Sequence, residues 1–146
     1  MGQIEGDWAL LVIAAAQGKP VSPVQVQKAL FLIDRNLSSA QRGGGSFYQF
    51  RAYDYGPFDS GIYADADLLH AEGLVTITDP RKSHRTYSAT PAGMDRANGL
   101  RNELSGDVVG YLDEVVRRVR SLRFDELVRA IYRDYPEMKA NSVFRG

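Results

Sequence analysis

Apolar positions recur mostly every three or four residues along the chain, and that period predicts a protein built mainly from helices. Trp8, Leu11, Val12 and Ala15 repeat at helical spacing, with Asp7 placed to cap the first turn and Gly18 and Pro20 to close it. Ser22 then precedes Pro23, and Gln25 follows three residues after the serine, a capping box with proline at the first helical position. Behind it Val26, Leu30, Ile33 and Leu37 form one apolar stripe. Residues 38–46 carry Gly43, Gly44 and Gly45 and read as a mobile surface loop. No Lys-Ser/Thr pair opens a helix after them, so the stretch is not a phosphate loop.

The period then changes. Residues 47–53 alternate, with Phe47, Gln49, Arg51 and Tyr53 on one face and Tyr48, Phe50 and Ala52 on the other, which predicts a strand. Tyr55, Gly56 and Pro57 turn the chain into a helix over 60–72, capped by Asp59 or Ser60 and burying Ile62, Ala66 and Leu69. Gly73 stands where a left-handed residue ends such a helix. Residues 74–78 and 86–89 pair as a hairpin across Asp79 and Pro80, and Thr90-Pro91 starts another helix. Ser105 caps a longer one whose Val108, Leu112, Val115, Val119 and Leu122 have the spacing of a coiled-coil seam for about two heptads. Burial within the same domain is the favoured reading of that seam, and a homodimer the other. A last helix over 125–135 turns Leu127, Val128, Ile131 and Tyr135 inward and ends at Pro136. The expected architecture is α+β, mostly α, in a single domain over residues 1–146. A winged-helix-like core over about 7–104 holds a small antiparallel sheet of about three strands, and a helical pair over about 105–136 follows it.

Composition removes several classes of function. Eighteen Lys and Arg balance eighteen Asp and Glu, and the pI is near 6.7, which excludes a globally basic nucleic-acid coat. The absence of cysteine excludes thiolate zinc sites, CxxC redox chemistry, Cys nucleophiles and disulfides. No apolar run approaches the ~18 residues of a membrane span. The first residues lack a basic leader region, and Gly6 stands where a myristoylation signal needs a hydroxyl residue. A cytoplasmic protein with no membrane partner is expected. His70 and His84 fall on different elements; Asp67 and His70, one turn apart, lack a third ligand and read as a surface pair. Asp65 and Asp67 diverge on a helix, and neither GxSxG nor HExxH occurs. The reading is of a protein that is not an enzyme and takes no metal or cofactor.

In a winged helix, the segment over 60–72 would enter a DNA major groove. Its charges argue otherwise: between Leu37 and Gly73, Arg42 and Arg51 face Asp54, Asp59, Asp65, Asp67 and Glu72, and the helix itself has no Lys, Arg, Asn or Gln. The hairpin differs, with Arg81, Lys82, His84 and Arg85 clustered at its tip. Arg81, Lys82 and Arg85 are the candidate contacts of the alternative function, a DNA-binding regulator; the plainer reading is a solvated turn that blocks edge pairing. Arg117, Arg118, Arg120 and Arg123 complement a helix C-terminus. The remaining group is Tyr53, Tyr55, Gly56, Pro57, Phe58 and Tyr63, aromatics around a rigid turn, which form the candidate protein-binding surface or a structural corner. A small-molecule sensor would need an apolar pocket that a sequence does not display.

Four segments carry a family resemblance: VQVQKALFLID at 24–34, FRAYDYGPF at 50–58, LLHAEGLV at 68–75 and YSATPAG at 87–93. Together they cover about half the chain, and they resemble the Panacea-type, SocA-like antitoxin domain and, equally, the YwgA-like bacterial and archaeal proteins of unknown role. The aromatic–Gly–Pro–aromatic turn entering a helix that ends in Gly-Leu-Val is the most specific piece. The resemblance implies a mostly helical fold with a small sheet, no enzymatic activity, and binding to another protein: antitoxins of the family neutralise unrelated toxins by contact, and some members act as adaptors for proteolysis. Lys28, Tyr55, Gly56, Pro57 and Phe58 stand at the matching positions. The Gly-rich insertion, Gly61 and the C-terminal third depart from the pattern.

Overall fold

A computed structural model describes residues 5–79, 81 and 84–145. The first helix, α1 (Glu5–Ala14), is apolar almost all round, and it lies at the centre accordingly, with every residue from Trp8 to Ile13 buried. It begins two residues before Asp7, which therefore sits inside the first turn rather than capping it, and the carboxylate pairs with Arg96 at 3.2 Å. Past Ala14 the chain leaves the helix through Gln17 and Gly18, both at positive φ.

Helix α2 (Pro23–Asn36) starts on the expected capping box: the Gln25 N–H donates to Ser22 Oγ at 3.1 Å and the Ser22 N–H to Gln25 Oε1 at 2.9 Å. Val26, Leu30, Ile33 and Leu37 are buried, as the stripe predicts. The glycine loop that follows lies on the surface but is tied down. The Trp8 indole donates to Arg42 O at 2.9 Å, and the Arg42 guanidinium donates to Leu37 O at 3.1 Å while covering the Phe47 ring at 4.4 Å.

The sheet differs from the expectation. Only β1 (Arg51–Tyr53) of the alternating stretch forms a ladder, and its partner is β2 (Gly56–Phe58), the segment read as a turn into a helix. The turn is Asp54-Tyr55, and Gly56 follows it at φ 107°, a conformation that suits a residue without Cβ. Residues 47–50 keep the predicted alternation of burial without a strand partner; the Gln49 N–H goes instead to Asp59 Oδ2 at 2.7 Å. Pro57 has no N–H to offer a further strand on the β2 edge.

Helix α3 (Gly61–Ala71) buries Ile62, Ala66 and Leu69. Of the two candidate caps it uses Asp59, whose Oδ1 accepts from the Gly61 N–H at 2.7 Å. Gly73 ends it at φ 78°. Strands β3 (Val75–Thr78) and β4 (Thr86–Ala89) form the expected hairpin, and Val21 adds a single bridge to Tyr87. Among the described residues there are thus two separate two-stranded sheets rather than one of three strands.

Thr90 caps α4 (Pro91–Asn102), and Ser105 caps α5 (Gly106–Ser121). In α5 the seam residues Val108, Leu112, Val115 and Val119 are buried within the chain, the helix packing on α2. Helix α6 (Phe124–Asp134) buries Leu127, Val128 and Ile131, while Tyr135 is half-buried and Pro136 opens a 3-10 turn, Pro136–Lys139. The fold is α+β and mostly α, with one apolar cluster running from Trp8 to Met138.

Candidate functional site

The β1–β2 hairpin is held from beneath by two buried polar residues of α2. The Gln27 amide donates to Asp59 O at 2.9 Å and accepts from the Asp59 N–H at 3.0 Å, so one side chain serves the backbone as a strand would. Next to it the Lys28 ammonium donates to Pro57 O at 3.2 Å. Burial lowers the Lys28 pKa from 10.5 to about 7. Gly56 lies directly over this lysine: a Cβ there would stand 3.5 Å from Lys28 Nζ and from the Tyr132 ring. From the outer side the C-terminal residues complete the grip. The Val143 N–H donates to Asp54 O at 2.9 Å, the Asn141 amide to Ala52 O at 3.2 Å, and the Tyr132 hydroxyl bonds Ser142 Oγ at 2.6 Å.

On this support the candidate protein-binding residues divide into two files. Tyr53 stacks on Phe58 at 4.8 Å between ring centroids, and Phe58 leans on Tyr63 at 6.1 Å. Tyr55, at the hairpin turn, points to the other file, meeting Phe124 edge-on at 5.1 Å, with Phe144 beyond it at 6.3 Å. Gly56 and Pro57 are buried and act as support rather than as contact surface. Tyr53, Tyr55 and Phe124 remain 47%, 42% and 45% exposed.

Between the files lies a cleft of about 480 Å³, walled by Tyr55, Tyr63, Phe124, Leu122 and Leu127 and floored by the start of α2 at Pro23 and Val24. Its polar lining includes His84, Thr86 and Arg85. Arg85 was expected at the tip of the second hairpin. Instead it is only 9% exposed, with its guanidinium 2.8 Å from Asp67 Oδ1 and 5.7 Å from the centre of the Tyr63 ring. Burial raises the Tyr63 pKa against the opposing pull of Arg85. The structure therefore brings Arg85, from the nucleic-acid set, into the same cleft as Tyr55 and Tyr63, from the protein-binding set.

Of the other two cations in that set, Arg81 is exposed but clamped by Asp79, with Nη2 to Oδ2 at 2.7 Å and Nε to Oδ1 at 3.0 Å; Lys82 lies outside the described residues. Three of the five carboxylates of the acidic region also have partners inside the chain. Asp65 accepts from the Tyr48 hydroxyl at 2.5 Å, Asp67 holds Arg85, and Asp59 caps α3. His70 is 2.9 Å from Val75 O through Nδ1, so the expected Asp67–His70 pair is replaced by two bonds to other elements. Among the described residues no three His, Asp or Glu side chains are grouped to hold a metal ion, and no helix is long and apolar enough to cross a membrane.

Gln27, Phe124 and Phe144 belong to this site and escaped the sequence reading. Gln27 neighbours the apolar stripe of α2 and looks like a solvated position; Phe124 and Phe144 lie far along the chain from the hairpin they meet. Comparison with family models, with curated proteins and with solved structures finds no match for the chain.

Proposed function

We propose that this chain is a non-enzymatic protein-interaction module that captures its partner in the aromatic cleft between the first hairpin and α6. One observation carries the reading: Tyr55 and Phe124, two large rings about half in solvent, flank an apolar cleft whose wall also holds a buried guanidinium. Exposed aromatics beside a preformed recess are the material of binding hot spots, because their area is desolvated at little cost in side-chain entropy. The engagement of Arg81 by Asp79 and of Arg85 by Asp67 supports a protein partner over a phosphate backbone. The resemblance to Panacea-type, SocA-like antitoxins, which the chain shares equally with the YwgA-like proteins of unknown role, favours a toxin encoded beside this chain as the partner.

The test is co-expression with the product of the adjacent reading frame. That product is expected to be toxic alone, to be relieved by this chain and to co-purify with it. Tyr55→Ala combined with Phe124→Ala should weaken the complex by about 2–4 kcal/mol while thermal unfolding stays cooperative. A partner that binds the double variant as tightly as the wild type removes the cleft from the reading. Retention of random duplex DNA in a salt-dependent manner, without a protein partner, replaces it with the DNA-binding alternative.

A further inference from the structure

A second cleft, of about 520 Å³, opens where the end of α1 meets α4 and α5. Its floor is made of small side chains, Ala14, Ala16 and Ala97. Around that floor stand Lys19, from the turn after α1, Arg101 from α4, and Arg117 and Arg120 from α5. One carboxylate lines the cleft, Asp113, and both of its oxygens are occupied by the Arg101 guanidinium at 2.7 and 2.8 Å. Arg117 also bonds Glu114, which is not part of the lining. Among the described residues Lys19 and Arg120 have no ion pair.

We propose that this cleft binds a compact phosphate-bearing anion, of the class of a polyphosphate or a phosphorylated small metabolite. The chain as a whole has no net charge, yet among the described residues four cations and one carboxylate line this recess; Arg101 is engaged by Asp113 and Arg117 by Glu114, which leaves Lys19 and Arg120 as the cations without an ion pair. Concave walls of low dielectric concentrate the field of such a group and attract counter-ions. The complement of a helix C-terminus accounts for Arg120 in the last turn of α5 and for Arg101 in the last turn of α4, and it does not account for Lys19, which lies in the turn beyond α1. Cations set on three sides of one floor suit a compact ligand, whereas an acidic peptide would call for a row of them. The unengaged Arg120 guanidinium can match phosphate oxygens in pairs, with the Lys19 ammonium as a second charge, and the alanine floor lets those oxygens approach closely. No aromatic ring lines the recess, so recognition rests on the phosphates and offers a nucleobase no stacking surface. The volume falls in the range of small-ligand sites.

The experiment is calorimetric titration of the full chain with inorganic tripolyphosphate at low ionic strength, with hexaglutamate as a second titrant. Saturable tripolyphosphate binding is expected, weakening as salt is added. Lys19→Gln combined with Arg120→Gln should reduce the affinity at least about tenfold, with unchanged circular dichroism and melting. Arg129→Gln on α6 should leave it as it is. Absence of binding to the wild type, equal affinity in the double variant, or hexaglutamate binding as tightly as tripolyphosphate each overturns the proposal.

Discussion

Lys28 is 3% exposed, and its amine reaches the protein's polar atoms through the Pro57 carbonyl. Burying an ammonium with so little solvation is costly, and the proton is given up instead, at about pH 7 rather than 10.5. The unfolded chain keeps that proton up to the higher value. Between the two, the unfolded state binds more protons than the folded one, so stability rises with pH, by up to about 1.4 kcal/mol per unit. Below about 7 both states are charged, and the fold carries the full penalty. The expected outcome is a urea midpoint that climbs between about pH 7 and 10 in the wild type and stays nearly level in Lys28→Met. A wild-type midpoint that is flat or falling across that window contradicts the burial argument. Position 28 is matched by the family resemblance, yet its burial was not legible locally, because a lysine beside an apolar stripe usually extends into solvent.

At the scale of the element, the same substitution should have opposite signs in two helices. A Cβ on Gly93, in the first turn of α4, would stand 2.0 Å from the Leu74 carbonyl oxygen, where the helix abuts the residue just before β3. Gly93→Ala must push backbone from backbone and should cost about 3 kcal/mol or more. Gly110, in the middle of α5, has nothing within 4 Å, and Gly110→Ala should stabilise by about 0.5–1 kcal/mol through helix propensity alone. Thermal melts of the two variants decide the matter. The caps at Ser22, Thr90 and Ser105 were legible because their chemistry closes within three residues. The first hairpin was not: Gly56-Pro57 has the composition of a turn, and only pairing across Asp54-Tyr55 makes it a strand.

For the whole molecule, the question is how the C-terminal third relates to the rest. Leu112 is fully buried in α5, which packs on α2, and residues 141–143 bind the first hairpin directly. Leu112→Ala should therefore destabilise the entire chain by about 2–5 kcal/mol in a single transition, with helices and hairpins melting together. Two separate transitions, the first confined to the C-terminal helices, would show that the packing of α5 on α2 does not couple them. The same arrangement builds the aromatic cleft: Tyr55 and Tyr63 come from one half of the chain, Leu122, Phe124 and Leu127 from the other.

Sequence alone determined where most helices begin and end, which faces of them are apolar, that β3 and β4 pair, and that the aromatic Gly-Pro segment is a singular feature. Each of these depends on interactions spanning a few residues, whose periodicity and capping can be read in order. Tertiary structure decided the rest: that Gln27 and Lys28 lie beneath the hairpin, that Arg85 turns into the cleft and not outward from the tip, and that Tyr55 meets Phe124. The reason is physical. A buried amide, ammonium or guanidinium must find its partner within hydrogen-bond distance, and here most of the partners lie roughly twenty or more residues away, brought close only when the apolar faces close on one another.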